Sequence, residues 1–396
     1  MTNYTLLPLL HSHLAWWGLK PFTSDADYFA WQRKQLSAGD LARLNVQAER
    51  KQEGGPWDEM TFYDLTAQPK ILPVLYSQRY EYYCKIGSQV AAHLGDAESI
   101  LDFGCGVGIL STFYATQFAE KQFVGIDRSP ASITIAREKA RELGLSNLRF
   151  ECVDVESDNI SGSFDLIVAT HALMQAEHDP GIPSNNWQTF DRARDTKQQA
   201  EFERRTGIDV RLDRLNASLA QSGRMIVFEK TRQLARRVPF QRALAGRGLQ
   251  MTAAPEPIRY RLVEEVTDDG PFYFVQKGRG IVFYWDELPE PDEGLPFDQI
   301  QLKTSSTASD MPLYENHWPS AQRVWEQLHD KRLIKETTCQ EANRRQLHVE
   351  IGQAEEGVYL YCANTFDQRQ LVLVEPAQAG MVESYYQEIT NSSAGG

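Results

Sequence analysis

The sequence predicts an α/β protein: a mainly parallel sheet with helices between its strands, an aromatic-rich helical extension before it and a small α+β unit after it. Three observations predict this. Strand-like and helix-like segments alternate from Ser99 to Phe228, the order that builds parallel sheets with right-handed crossovers. Gly104, Gly106 and Gly108 follow directly on an apolar run, as in a strand entering a tight turn. Composition then shifts at Asp286–Asp310, where Pro289, Pro291, Pro296 and a Ser/Thr run accompany acidic residues, which reads as a linker. The expected spans are 1–94 for the extension, 95–280 for the core, 281–312 for the linker and 313–390 for the accessory unit.

The extension carries Trp16, Trp17, Tyr28, Phe29, Trp31, Trp57, Phe62, Tyr63, Tyr76, Tyr80, Tyr82 and Tyr83. Ala38–Lys51 reads as a helix, and Gly54-Gly55-Pro56 breaks any regular element. Leu72, Leu75, Tyr76, Arg79, Tyr80 and Tyr83 fit one face of a helix leading toward the glycines. The plain reading is that these aromatics pack the extension onto the core.

In the core, Ile100, Leu101 and Phe103 form a buried strand. Glycines after it permit positive φ and put no Cβ between the turn and a ligand, and the following helix points its positive end at the same place. Asp127 ends the next strand, Phe123-Val124-Gly125-Ile126, where a carboxylate meets a ribose diol. This is a nucleoside-binding corner. Ser129 and Pro130 start the second helix, Gly144 closes it, and Ile133, Ala136, Ala140 and Leu143 form its buried stripe. Later strands are Phe150–Val155, Ser163–Ala169 and Met225–Phe228. Between the last two lie a long insertion, His171 to about Gly207, and a helix, Ile208–Ala220. Loops of that length at a site usually cover or shape it.

Spacing chooses the nucleoside. A dinucleotide fingerprint needs glycine at Ile109, and Gly108 comes one residue early. The pattern D-x-G-x-G-x-G, filled by Asp102, Gly104, Gly106 and Gly108, resembles the S-adenosylmethionine-binding loop of the class I methyltransferases. The resemblance implies a Rossmann-like seven-stranded sheet, completed by an antiparallel pair at Arg259–Val266 and Phe272–Gln276. It also implies S-adenosyl-L-methionine as cofactor and methyl transfer by in-line displacement. Gly104, Gly106 and Gly108 would cradle the methionine part, Asp102 orient it, Asp127 hold the ribose and Asp154 the adenine amine. Arg128 and Val155 beside them, and Cys105 within the loop where a small residue is required, join the expected cofactor contacts. A sulfonium is a cation that an aromatic face can hold, which makes Tyr80 and Tyr83 pocket candidates.

His171 follows the fourth strand at the carboxyl edge of the sheet and is placed to take a proton; the alternative is a histidine bonded to a loop carbonyl. Glu229, ending the fifth strand, faces the same edge. His178, with Glu177 and Asp179, superficially suggests metal ligands, but adjacent loop residues seldom converge on one ion, so no metal is expected. Lys230, Arg232, Arg236, Arg237, Arg242 and Arg247 form a basic run that suits an anionic acceptor or, more ordinarily, a solvated helix face. The proline-rich tetrapeptide of the family's amino-methyltransferases is absent; Thr170-His171-Ala172-Leu173 stands there, disfavouring amide or adenine-amine acceptors.

The net charge of −13 argues against a wide grip on duplex nucleic acid. Five cysteines without a C-x-x-C pair suggest neither disulfides nor zinc, and no apolar stretch has the length of a membrane span. A cytoplasmic location is expected. In the accessory unit, Ser320 caps a helix bearing Val324, Trp325 and Leu328, before strands at Leu347–Ile351, Val358–Cys362 and Leu371–Val374. So small a unit is expected to dock on the core or on a second subunit, as in a homodimer. The expected acceptor is a small molecule or peptide. The alternatives are a protein or nucleic acid docked by the accessory unit, and a regulatory subunit without turnover.

Overall fold

A computed structural model of the chain describes residues 3–53, 56–175, 179–263, 265–278, 311–340 and 345–393. The Asp286–Asp310 linker, the Gly54-Gly55 break and the pair Glu177 and His178 lie outside the described residues.

In chain order the elements are α1 (Asn3–Trp16), α2 (Asp25–Gln35), α3 (Ala38–Glu53), α4 (Pro56–Thr66), α5 (Leu72–Ser77), α6 (Tyr80–Ala92), β1 (Ser99–Phe103), α7 (Ile109–Gln117), β2 (Gln122–Asp127), α8 (Pro130–Glu142), β3 (Leu148–Cys152) and β4 (Phe164–Thr170). They continue with α9 (Thr196–Thr206), α10 (Ile208–Ser218), β5 (Leu219–Phe228), α11 (Leu234–Gly246), β6 (Leu249–Met251), β7 (Glu256–Leu262) and β8 (Glu265–Lys277). The last group is β9 (Tyr314–Asn316), α12 (Ala321–Gln327), β10 (Arg332–Gln340), β11 (Gln346–Ala354), β12 (Gly357–Asn364), β13 (Arg369–Val374) and α13 (Ala379–Ser393). The chain divides into two compact units, one of residues 1–177, 203–232 and 242–283, the other of 178–202, 233–241 and 284–396.

The first unit is built on a sheet of order β3-β2-β1-β4-β5-β8-β6, with β7 paired to β8 off that path. β1 lies inside it between β2 and β4, Leu101 opposite Val124 of β2 and Ile167 of β4, both parallel. β8 runs antiparallel between β5 and β6, with Val227 opposite Tyr273 and Met251 opposite Val275. The antiparallel pair expected at Arg259–Val266 and Phe272–Gln276 is present as β7 with β8, except that Val266 already lies on β8 opposite Arg261, and β6 is a further strand beyond those expected. The helix expected from Leu72 to Tyr83 is two, because Arg79, at φ −102° and ψ 21°, leaves helical geometry between α5 and α6. One core joins Leu6, Leu10 and Leu14 of α1 with Ile86 and Val90 of α6, Phe113 of α7 and Ile100 of β1. Gly87 permits that packing: a Cβ there would meet Leu110 Cδ2 at 2.6 Å. No helix among the described residues is long and apolar enough to cross a membrane.

The second unit is larger than the helix and three strands expected. It holds a five-stranded antiparallel sheet of order β10-β11-β12-β13-β9, with α12 and α13. Both faces of its central strands are buried. Val349, Leu360 and Val372 pack with Val382 and Tyr386 of α13, while Tyr359, Tyr361 and Leu373 pack with Val324 and Leu328. At about 1.5–3 kcal/mol per fully buried large apolar side chain, two such faces give this unit a core of its own. Residues 178–202 of the insertion belong here, not to the 95–280 span: Ser184 N donates to Thr365 O at 2.7 Å and Arg192 pairs with Asp367. Arg236 and Arg237, read as part of a solvated run, are buried.

Candidate functional site

The site is built where β1 and β2 end. Gly104, Gly106 and Gly108 have φ of 72°, 54° and 83°, the left-handed region that glycine enters without strain. Two of the three are also required by packing. A Cβ on Gly104 would lie 2.4 Å from Ala172 Cβ, and one on Gly108 would lie 2.7 Å from Phe150 Cζ. Gly106 differs, since nothing lies within 4 Å of where its Cβ would be. The loop is thus closed behind and open at Gly106. Gly104→Ala is expected to cost about 3 kcal/mol in thermal melting, from clash and strain together. Gly106→Ala should cost only about 1 kcal/mol, the strain alone.

Asp127 closes the corner. Its Oδ2 accepts Gly106 N at 2.9 Å and its Oδ1 accepts Ser129 N at 2.8 Å. Burial raises its pKa above the usual carboxylate range, and the two amides work against that rise. Asp102, at the buried end of β1, accepts from Ser111 Oγ. Burial pushes its pKa up to about 7, opposed by Ser111 and reinforced by the charge of Asp127. The Cys105 thiol is held well above its ordinary pKa by burial and by both aspartates, so it stays protonated.

The extension folds over this corner. Asp64 of α4 accepts from Ser129 Oγ at 2.6 Å, and Glu59 pairs with Arg128, so the Arg128 charge is already engaged. Tyr82 lies against the edge of the sheet, its ring 5.5 Å from His171 and 5.3 Å from both Tyr83 and Tyr260. Its hydroxyl bonds Thr170, and burial raises its pKa to about 12. Tyr83 is buried and stacks with Tyr76 at 6.4 Å. Tyr80 does not join them: its hydroxyl bonds His11 Nδ1 at 2.8 Å and its ring stacks on that imidazole.

Sequence reasoning passed over Arg79 except as one residue of a helix face. Its guanidinium lies 5.9 Å over the Tyr82 ring and makes no ion pair with a described residue. Desolvation works against its charge, but the phenols of Tyr83, Tyr63, Tyr82 and Tyr260 outweigh this and hold its pKa above the ordinary value. The residue is nevertheless exposed at the surface, so its charge is open to solvent. The only sequence signal was its place among tyrosines, immediately before the strand-leading helix.

His171 and Glu229 do different work. His171 holds φ 53°, uncommon for a residue with a side chain, and its N donates to Phe228 O at 2.8 Å. Its ring stands edge-on to Tyr82 and Phe228. Glu229 is buried, and one oxygen, Oε1, accepts both Ala172 N and Leu173 N at 2.7 Å. The carboxylate thereby braces the turn that carries His171, and the same turn presses Ala172 against Gly104. Asp154 follows β3 and caps its own turn, Oδ1 accepting Glu156 N at 3.1 Å, with Val155 buried beside it.

With this geometry in hand, comparison with known proteins is specific about one part of the chain. A family described as "Methyltransferase domain" matches residues 94–195. The malonyl-[acyl-carrier protein] O-methyltransferase of Acetivibrio thermocellus is 30% identical over 123 residues, 28% of this chain and 42% of that protein. The release factor glutamine methyltransferase of Vibrio cholerae is 29% identical over 157 residues, 38% of this chain and 54% of that one. The chain therefore spans about half the length, or less, of these curated relatives. Among solved structures, a magnesium protoporphyrin IX methyltransferase from Synechocystis with bound S-adenosylmethionine is 17% identical, covering 52% of this chain and 81% of that one at a TM-score of 0.35.

Proposed function

We propose, from the premise that residues 94–195 are a class I methyltransferase domain, that the chain binds S-adenosylmethionine at the β1–β2 corner and passes its methyl group to a small-molecule or peptide-sized acceptor. The observation that carries this reading is Gly106. It is the one glycine of the loop with open space where a side chain would stand, and its N–H is tied to the carboxylate suited to a ribose.

When bound, the cofactor supplies a methyl group on a positively charged sulfur. The chain's residues hold and orient it. Asp127 has a lone pair left on each oxygen for the ribose hydroxyls, and Asp102 offers a carboxylate to the methionine ammonium. Arg79 answers the methionine carboxylate, with the rings of Tyr82 and Tyr83 beside the cation. Asp154 offers Oδ2 to the adenine amine. His171, from its place at the end of β4, takes a proton at a ring nitrogen where the acceptor is an O–H or a protonated amine. Glu229 acts through His171 as a positioning residue. Alignment of acceptor and methyl group supplies most of the acceleration, and this role falls to the braced turn and the aromatic wall.

Because Asp102 ionises only near pH 7 in the free protein, cofactor binding should titrate with it. The ammonium favours the carboxylate, so affinity is full above that pH and falls below it. Between about pH 8 and about pH 6 the dissociation constant of S-adenosylhomocysteine should rise by roughly tenfold, and Asp102→Asn should flatten the profile.

The acceptor class is tested by supplying methyl-labelled S-adenosylmethionine to the protein in a fractionated cell extract. Label in the low-molecular-weight fraction is expected. Label in protein or RNA would transfer the reading to a macromolecular acceptor, and no label despite cofactor binding would favour a subunit without turnover.

A further inference from the structure

A second cluster of chemistry-bearing residues stands in the accessory unit, outside the methyltransferase domain. β10 and β11 are antiparallel neighbours, with Glu336 directly opposite Glu350 and Thr338 directly opposite His348. The two-residue period of a strand puts Glu336, His348 and Glu350 on one face. One ligand atom from each lies within 4.8 Å of the others. His348 and Glu350 are buried and Glu336 is exposed, so the cluster opens to solvent on one side.

Two features set this cluster apart from an ordinary polar patch. Like charges directly opposite on a sheet repel, and here one carboxylate is buried. Glu336 makes no hydrogen bond or ion pair with a described residue, and the cations near Glu350 are Lys331 and His348 when protonated. The second feature is the orientation of the two buried groups. Thr338 Oγ1 bonds His348 Nδ1 at 2.7 Å, which turns Nε2 toward Glu350 Oε2 at 2.9 Å. The other oxygen of Glu350 accepts Trp325 Nε1 at 2.7 Å and Tyr359 hydroxyl at 3.0 Å. Trp187 lies flat on the imidazole, ring centroids 3.7 Å apart and ring planes nearly parallel. Metal-ligating histidines and carboxylates have such partners on their non-ligating atoms, which fix tautomer and direction. The 2.9 Å between Nε2 and Oε2 also matches the spacing of adjacent ligands around a six-coordinate ion with bonds of about 2.1 Å.

We propose that Glu336, His348 and Glu350 bind a divalent transition-metal ion through His348 Nε2, Glu350 Oε2 and the Glu336 carboxylate, with water completing the coordination. One imidazole with two carboxylates suits Zn²⁺, Mn²⁺ or Ni²⁺ over an all-oxygen ion such as Ca²⁺. Binding displaces any proton on His348 Nε2 to solvent and relieves the facing carboxylates. It also clips the exposed strand β10 to the buried strand β11, making the ion a staple for this unit, independent of methyl transfer.

The test uses the full chain, stripped with a chelator and titrated with Zn²⁺ alone. Calorimetry should give one equivalent per chain, with a rise in melting temperature and a saturating change in tryptophan emission, since Trp187 and Trp325 touch two of the ligands. Glu336→Gln, an exposed change that leaves the buried bonds intact, should weaken Zn²⁺ by more than about tenfold and abolish the emission change. No binding by the unaltered chain would overturn the proposal, as would equal affinity in Glu336→Gln.

Discussion

Asp127→Ala is expected to abolish the thermal stabilisation that S-adenosylhomocysteine gives the unaltered protein. The carboxylate holds Gly106 N and Ser129 N at once, so its loss removes the proposed ribose acceptor and frees the glycine loop. A loss of about a hundredfold in affinity, near 2.7 kcal/mol, is the expected scale. The free protein should melt within a few degrees of the unaltered chain, because deleting a buried carboxylate relieves a desolvation cost as well as removing two hydrogen bonds. Equal stabilisation of both proteins by the ligand would mean that the corner is not its seat.

Glu229→Ala should be the most damaging change in the turn after β4. Two amides, those of Ala172 and Leu173, lose their shared acceptor in a buried place, at about 1–3 kcal/mol each. The left-handed conformation of His171 loses its support at the same time, so methyl transfer should fall by more than about tenfold. Glu229→Gln separates bracing from proton transfer. A glutamine carbonyl accepts both amides, so a positioning role predicts recovered melting temperature and activity with an unshifted pH profile. A general-base role predicts that Gln is as inactive as Ala.

The legible part of this protein was the part governed by local backbone geometry. Glycines at alternate positions, an apolar strand before them and Asp127 after the next strand are constraints that one stretch of chain must satisfy by itself. The sheet order follows from them, because alternating strands and helices leave few topologies. Residues whose role depends on distant neighbours were not legible. Tyr80 and Tyr83 have the same sequence signature, yet Tyr80 is taken up by His11 at the other end of the extension. Glu229 looked like a group facing the crevice because it ends a strand, and only the course of the turn at 171–173 shows what its oxygen holds. Arg79 reads as one position on a helix face, and only the fold sets its guanidinium over the Tyr82 ring. The strand β10 escaped notice because it is mostly exposed and lacks an apolar alternation. The insertion at 178–202 has its bonding partners some 180 residues away in the accessory sheet, as in Ser184 with Thr365.

The most direct measurement is a calorimetric titration of S-adenosylhomocysteine into the unaltered chain beside Arg79→Ala and Asp127→Ala. The account predicts one site per chain, binding weakened in Arg79→Ala through loss of the carboxylate partner, and binding lost in Asp127→Ala. No heat with the unaltered chain at millimolar ligand, or the same isotherm in all three proteins, would contradict it.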